Sequence, residues 1–336
     1  MPESKRTMSL STPLRRLLAA TFIAGGAWAA TPALAQDAAW PSKPVRLLVG
    51  SPPGGPSDIT ARTFAEALQH QSGQTVIVEN RPGAGNGLAA GTAAKATPDG
   101  YTLVLSPDTV VTVNPLIYRN QNYDARTDLV TASILASFSQ MLVCNPATGV
   151  KSVAELVARS KTERITYSSG GAGVPGHLAA EMFDQVSGAK MEHVPYRGPS
   201  PATLAVLSGE VNCGFLATPT VLPHVKSGKL VALTVSSGTP SPLAPDVPSL
   251  AAALKQPGLD VSFRLLLQTA RGTPAPVIAR MEAAAMRIMA DPEVKAKLQG
   301  YDVVAVGSST AQAQQTMQAE ITRWEPLVKR LGLKVD

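Results

Sequence analysis

The chain has 336 residues, a formal net charge of +6 and 44% hydrophobic residues. The first 35 residues carry four basic side chains and one acid, a net of +3, which leaves +3 for the remainder. This balance, without a Lys/Arg cluster interleaved with aromatics, argues against a nucleic-acid partner. Metal ligation is also unsupported, since the four histidines are scattered without ligand spacing. The length suggests two domains.

The N-terminus has the pattern of a secretion signal. Lys5, Arg6, Arg15 and Arg16 precede the apolar stretch "LLAATFIAGGAWAA". The segment "ALAQD" then offers small residues for cleavage after Ala35. A membrane-anchoring helix is the alternative, but about 14 apolar residues fall short of the roughly 20 needed to span a bilayer. We therefore expect residues 1–35 to be removed on secretion.

Strand and helix patterns alternate along the rest of the chain. The first half reads as strand "VRLLVG", helix "ITARTFAEALQHQ" and strands "TVIVEN" and "YTLVLSP". The second half contains strands "RITYSS", "KMEHVPY", "EVNCGFL" and "KLVALTVSS" between helical segments, and two long helical patterns end the chain. Such alternation predicts an α/β fold with mostly parallel sheets.

Cys144 and Cys213 are the only cysteines, and both lie in strand-like apolar runs. An oxidising compartment would allow them to form a disulfide. Two separate buried thiols fit the same pattern, so the sequence leaves both states open.

The two halves share an internal similarity. The first half has, in order, a strand, the loop "PPGGPSD", a helix, "SGQ", a strand and "RPG". The second half has the same order, with the loop "SSGGAG" before its helix, "SGA" after it and "RGP" after the second strand. Two similar βαβ units predict two similar lobes. Because ligands of open α/β sheets bind at the carboxyl ends of strands, the two glycine loops should face one cleft.

These glycine loops favour an anion. Their exposed N–H groups and the following helix N-termini attract phosphate, sulfate or carboxylate. Gly171, Gly173 and Gly176 match a dinucleotide pattern, with Glu192 downstream, but Pro175 removes a donor and a secreted protein has little access to NAD. A Walker A phosphate-binding loop is excluded, because His177 follows Gly176 at the position where that motif requires lysine.

No Ser/His/Asp set or G-x-S-x-G elbow can be assigned, so we expect neither an enzyme nor a bound cofactor. A carboxylate held at two helix N-termini fits the pattern best.

Several ordered stretches resemble one family. "WPSKPVRLLVGSPPGGPSDITAR", "VIVENRPGAGNGLAAGTAAKATPDGYTL" and "HLAAEMFDQVSGAKMEHVPYRGPSPATLAVLSGEV" are similar to receptors of tripartite tricarboxylate transporters, called Bug or TctC-like proteins. The resemblance covers nearly all of the chain after residue 35. It implies a type II-like, two-lobed periplasmic binding protein that closes over a small carboxylate and delivers it to a permease of two membrane subunits.

The resemblance also assigns candidate ligand-binding residues. In the first lobe, Ser57 and Asp58 belong to the "PPGGPSD" loop, and Asp58 has a helix cap as its alternative role. Arg81 beside the second loop has local ion pairing as its alternative. Asp108 follows the end of the third strand. The first-lobe candidates are Pro53, Gly54, Gly55, Ser57, Asp58, Asn86 and Ser106.

In the second lobe, the candidates are Ser168, Ser169, Gly170, Tyr196, Arg197 and Leu216. His177 is expected to open its helix. Leu216 stands where many relatives carry an acid, and Arg264 stands where a small residue is usual. The resemblance therefore predicts an apolar pocket for an aromatic or aliphatic acid rather than an amino dicarboxylate, with Arg264 projecting into the cleft or an interface.

The expected domain arrangement has residues 37–138 and 236–336 in lobe 1 and residues 139–235 in lobe 2. "SFSQMLVCNP" and "LVALTVSSG" are the predicted crossing strands. Two alternatives remain for function: an accessory sensor that docks to a membrane kinase, and a secreted enzyme on the same scaffold. A monomer is expected.

Overall fold

The computed structural model describes Met1 and residues 40–335. The predicted signal segment and its cleavage after Ala35 lie outside the described residues. No helix in the described part of the chain is long and apolar enough to cross a membrane.

Eleven strands lie within residues 40–335, in two sheets. They are β1 (Val45–Val49), β2 (Val76–Asn80), β3 (Thr102–Pro107), β4 (Leu129–Phe138), β5 (Gln140–Cys144), β6 (Ile165–Ser169), β7 (Met191–Pro195), β8 (Cys213–Ala217), β9 (Val231–Val235), β10 (Phe263–Ala270) and β11 (Val303–Ala305). The first sheet has the order β11-β4-β10-β3-β1-β2, and the second has the order β7-β6-β8-β5-β9.

Helices flank both sheets. They are α1 (Pro56–Ser72), α2 (Gly87–Ala94), α3 (Thr109–Thr112), α4 (Asn114–Ile117), α5 (Val153–Arg159), α6 (Pro175–Ser187), α7 (Pro199–Ser208), α8 (Thr218–Lys226), α9 (Leu250–Leu254), α10 (Ala275–Ala290), α11 (Pro292–Gln299) and α12 (Thr310–Leu331). Helices α1, α2, α10 and α12 pack on the first sheet, and α6, α7 and α8 pack on the second. The predicted two-lobed α/β architecture is confirmed.

Local chemistry explains where the main helices begin and end. Helices α1, α6 and α7 each have a proline in the first turn, where the missing N–H costs no hydrogen bond. Gly73 and Gly188 end α1 and α6 in the left-handed conformation, with φ of 70° in both cases. These stops fix where the two helices end.

The expected mostly parallel pairing requires correction, because both sheets are mixed. The β1–β2, β1–β3, β6–β7 and β6–β8 pairs are parallel. The pairs made by β10, β11 and β5 are antiparallel. The parallel pairs belong to the two βαβ units, whereas the antiparallel ones involve strands that pass between the sheets or return late in the chain.

Cys144 and Cys213 form a disulfide. They face each other in the antiparallel register of β5 and β8. Both side chains are fully buried, so the bridge lies within the second lobe's core.

Aromatic contacts mark the centre of each lobe. Phe263 of β10 stacks on Trp324 of α12 with ring centroids 5.7 Å apart. In the second lobe, Phe183 of α6 lies 5.6 Å from Phe215 of β8. Each buried pair holds a flanking helix against a strand of its own sheet.

Candidate functional site

A cavity of about 560 Å³ lies between the lobes, at the carboxyl ends of several strands. The first lobe contributes residues 50–52, 56–57, 82–86, 107, 118 and 138. The second contributes residues 140, 170–171, 174–176, 196–199 and 215–217. Its position agrees with the rule that ligands of open α/β sheets bind beyond the carboxyl ends of strands.

Helix N-termini form much of the cavity wall. Pro56 and Ser57 open α1, Pro175 and Gly176 open α6, and Pro199 opens α7. The first N–H groups of a helix have no partner within the helix, and the aligned peptide dipoles place partial positive charge there. Three such termini around one cavity favour an anionic ligand.

Arg197 is the one charged side chain among the described residues that line the cavity. It is exposed, and it forms no hydrogen bond or ion pair with the part of the chain that the structure describes. No described lining residue is acidic. The full positive charge of Arg197 therefore adds to the partial charges of the helix termini without a compensating carboxylate.

The predicted first loop divides between ligand-facing and structural positions. Ser57 is buried and lines the cavity, while Pro53, Gly54, Gly55 and Asp58 lie outside its lining.

Asp58 holds that loop in shape. Its carboxylate accepts a hydrogen bond from the Gly54 N–H at 3.0 Å and interacts with Arg62 and Asn80. Burial raises the pKa of Asp58. The interaction with Arg62 and the hydrogen bonds from Gly54 and Asn80 together lower it by more, so the pKa lies below its usual value. Asp58 thus shapes the loop behind the cavity.

Asn86 of the second predicted loop lines the cavity. It precedes α2 with φ of 72° and is buried. Gly50, at the end of β1, allows this approach, because a Cβ there would lie 2.6 Å from the Asn86 Cβ. The alternative for Arg81 is observed, since it pairs with Glu79 at 3.2 Å.

Ser106 and Asp108 lie behind the cavity wall, although Pro107 between them lines it. Ser106 is fully buried and donates to Gln268 at 3.2 Å. Asp108 accepts from the Arg264 backbone N–H, and burial raises the pKa of Asp108 to about 7 although Arg264 opposes the shift.

Arg264 lies outside the cavity lining, so its projection into the cleft is not observed. Its guanidinium pairs with Glu320 of α12 at 2.9 Å, so the side chain turns towards that helix and away from the cavity. The buried carboxylate of Glu320 accounts for a basic residue at this position.

In the second lobe, Gly170, Tyr196, Arg197 and Leu216 line the cavity. The Tyr196 hydroxyl donates to Glu210 at 2.7 Å, so its ring rather than its hydroxyl is available to a ligand.

Ser168 and Ser169 are buried and lie outside the cavity lining. Ser168 donates to the Ala202 carbonyl at 3.0 Å, and Ser169 lies 2.6 Å from His193. Both serines fix the loop that carries Gly170.

Other cavity residues were not among the sequence candidates. Ser51 follows β1 and Gln140 begins β5. Aromatic surface comes from Tyr118, Phe138 and Phe215. The strand-end rule would have indicated Ser51, which comes two residues after β1. Gln140 also had a signal, as a lone amide within the apolar crossing segment "SFSQMLV".

Loops from the two lobes touch beside the cavity. The Tyr118 hydroxyl donates to the Ala172 carbonyl at 3.2 Å. Gly198, with φ of 116°, lies so close to Pro52 that an added Cβ would meet its ring at 2.6 Å. These contacts join lobe 1 to the loops of lobe 2 that carry Gly170 and Arg197.

A histidine pair supports the loop of residues 169–173 from behind. The His177 Nδ1 accepts from the Gly173 N–H at 3.0 Å, and its ring stacks on His193 with centroids 4.0 Å apart. His177 also faces Glu181, with 3.4 Å between Nε2 and Oε1. Burial lowers the pKa of His193 to about 3, and His177 adds to the effect while Glu181 opposes it.

Replacing His193 by glutamine should make stability less sensitive to acid. The unfolded chain binds a proton at His193 near pH 6.5, but the folded protein does so near pH 3, so stability falls as pH drops between these values. Between pH 7 and pH 4, urea unfolding should show the native protein losing about 3 kcal/mol more than His193→Gln. Asp108 and Asp184 are present in both proteins, so their titration contributes to both stability curves. Parallel stability curves would contradict the assignment.

Comparison with known proteins identifies the family. A protein-family model described as "Tripartite tricarboxylate transporter family receptor" matches residues 60–333. Protein BugT of Bordetella pertussis is 30% identical over 299 residues, covering 88% of this chain and 91% of BugT.

Two solved structures share the fold and much of the length. Rpa4515 of R. palustris, solved with adipate, has a TM-score of 0.83 and 28% identity, covering 88% of this chain and 99% of that one. MatC of Rhodopseudomonas palustris, solved with bound malate, has a TM-score of 0.77 and 25% identity, covering 86% of this chain and 100% of that one. The chain therefore belongs to the receptor family of the tripartite tricarboxylate transporters.

Proposed function

We propose that this protein binds a small carboxylate in the cavity between its lobes and passes it to a membrane transporter. The observation that carries the proposal is the convergence of three helix N-termini and Arg197 on a cavity without acidic lining among the described residues. A carboxylate would accept hydrogen bonds from the helix N–H groups and complement the local charge. The proposal assigns no catalytic residue.

The ligand-binding loops are proposed to come from both lobes. Ser57 and Asn86 act from the first lobe, and Gly170, Tyr196 and Arg197 act from the second. Residues 37–138 and 236–336 would form one rigid body and residues 139–235 the other. Binding then favours closure, because a ligand held by both lobes stabilises the conformation in which they touch.

An aromatic or aliphatic acid is the proposed ligand class, in preference to an amino dicarboxylate. Phe138, Val174, Phe215 and Leu216 give the cavity an apolar surface for the ligand tail. An ammonium group would find no carboxylate among the described lining residues, so its desolvation would be uncompensated. Adipate in Rpa4515 and malate in MatC support an acid ligand.

The family also supports a location and a partner. We propose secretion to the periplasm with removal of residues 1–35, as expected for a receptor that serves a membrane transporter. A permease of two subunits is the proposed recipient of the ligand. Membrane vesicles that contain the permease should accumulate ligand only when the loaded receptor is added.

Thermal melting against a panel of small acids tests the binding proposal. A ligand present at a hundred times its dissociation constant stabilises the protein by about 2.7 kcal/mol. For a chain of this size, the melting temperature should rise by about 4 °C with aliphatic or aromatic acids. Aspartate and glutamate should give smaller shifts, and NAD should give none. A shift with NAD alone, or a larger shift with aspartate than with every other acid, would contradict the proposal.

A further inference from the structure

Gln140 occupies an unusual place in the fold. The chain leaves the first sheet at Phe138 and enters the second at Gln140. The Gln140 N–H donates to the Ser236 hydroxyl at 2.9 Å, and its carbonyl accepts from the Ser236 N–H at 2.7 Å. The backbone of Gln140 is thus fixed where the chain crosses between lobes, while its side chain lines the cavity.

The Gln140 carboxamide has no hydrogen-bond partner within the described residues. Gln140 is only 2% exposed, and its Nε2 is buried without an acceptor. A buried amide donor without an acceptor is costly, and native proteins rarely retain one without a reason. Gln268, the other buried glutamine within residues 40–335, differs in this respect, because its amide contacts both Ser106 and Thr131.

The surroundings of Gln140 indicate which chemical group would satisfy it. Its Oε1 lies beside Gly176 in the first turn of α6, 3.4 Å from the position a Cβ would take there. The same cavity contains Arg197 and no acidic side chain among its described lining. An electropositive site of this kind attracts an oxygen acceptor and disfavours an ammonium group.

Ser51 repeats the pattern on the opposite lobe. It lines the cavity just after β1, and its Oγ is buried without a partner among the described residues. Within the described residues, Ser51 and Gln140 therefore place a buried, unpartnered polar atom at the cavity from each lobe.

We propose that Gln140 is a specificity-determining residue. A half-turn of its carboxamide brings the buried Nε2 to the cavity side, where it donates a hydrogen bond to a ligand oxygen and so selects oxygen-bearing acids over their amino analogues. The inference rests on the proposed carboxylate-binding function and assigns the discriminating contact within that site. A ligand amine in place of the oxygen would face a second donor, which leaves two buried donors without acceptors.

Calorimetric titration with two matched ligand pairs tests this role. The probes are malate with aspartate, in which ammonium replaces a hydroxyl group, and adipate with 2-aminoadipate, in which ammonium replaces a hydrogen beside one carboxylate. The native protein should bind the acid of at least one pair about tenfold or more tighter than its amino analogue. Gln140→Met is similar in length but lacks the donor. It should weaken binding of that acid about tenfold and reduce the preference for the acid over its amino analogue. Gln140→Glu should weaken binding of the acid further and shift the preference towards the amino analogue.

Gln268→Met is the matched control, because it removes a buried glutamine amide away from the cavity lining. It should lower the melting temperature while leaving the acid-to-amine preference unchanged. Unchanged acid affinity and preference in both Gln140 variants would overturn the Gln140 assignment alone. Failure of the native protein to bind any of the four probes would overturn the inference together with the carboxylate proposal for these ligands.

Discussion

Removing the disulfide by a Cys144→Ala/Cys213→Ala double substitution is expected to lower the free energy of unfolding by about 4 kcal/mol. The bridge closes a loop with a sequence separation of 69 residues, which restricts the unfolded chain. Both cysteines lie in the core of the second lobe, so the smaller alanines also leave unfilled space. Urea unfolding of the double variant and the native protein measures the difference.

Ligand affinity should survive this substitution. Cys213 begins β8, whereas Phe215, Leu216 and Ala217 at the other end of the strand line the cavity. Dithiothreitol should destabilise the native protein and leave the double variant unaffected, which serves as the control. A double variant within about 1 kcal/mol of the native protein would show that the bridge contributes little.

Gly176→Ala should give the largest effect on the cavity itself. Gly176 lies in the first turn of α6, and an added Cβ would come within 2.2 Å of the Phe215 carbonyl oxygen. That carbonyl belongs to the backbone of β8, so α6 must move away from the strand to relieve the clash. We expect a loss of about 3 kcal/mol in unfolding free energy. Carboxylate affinity should fall at least about 100-fold, because the α6 N-terminus is displaced from the site.

Gly55→Ala is the matched control for this prediction. Gly55 is the N-cap of α1, with φ of −87°, and an added Cβ there would meet Pro199 at 3.4 Å, an ordinary contact. It should cost less than about 1 kcal/mol. Equal stability and affinity in the two alanine variants, measured by urea unfolding and titration, would show that the α6–β8 contact does not shape the site.

The sequence predicted the fold best where structure is local. The patterns "VRLLVG" and "RITYSS" predicted strands, and β1 and β6 lie at these positions. The mixed sheets were not predictable in this way. Their antiparallel pairs join β3 and β4 to β10, more than a hundred residues later, and periodicity within one strand does not reveal its partner.

Long-range register also determined the state of the cysteines. Cys144 and Cys213 are joined because β5 and β8 pair with these two residues opposite each other. Nothing in the flanking sequence distinguishes this arrangement from two separate buried thiols.

The candidate site shows the same division. The family resemblance assigned loop residues that follow strands, such as Asn86 and Arg197, to the cleft, and both line the cavity. Ser168 and Ser169 also lie at a strand end, but their hydroxyls form hydrogen bonds with Ala202 and His193. These partners are distant in the sequence, so only the packed structure reveals them. Gln140 was missed because it lies in a crossing strand rather than in a glycine loop.

The measurement that tests the central claim most directly is a titration with an acid and its uncharged analogue. The acid that most raises the melting temperature should be titrated calorimetrically against the protein, followed by the corresponding amide of the same shape. If helix N-termini and Arg197 capture a carboxylate, the acid will bind at one site and the amide will bind at least about 100-fold more weakly. Equal affinity for the two compounds would contradict recognition of a carboxylate by this cavity.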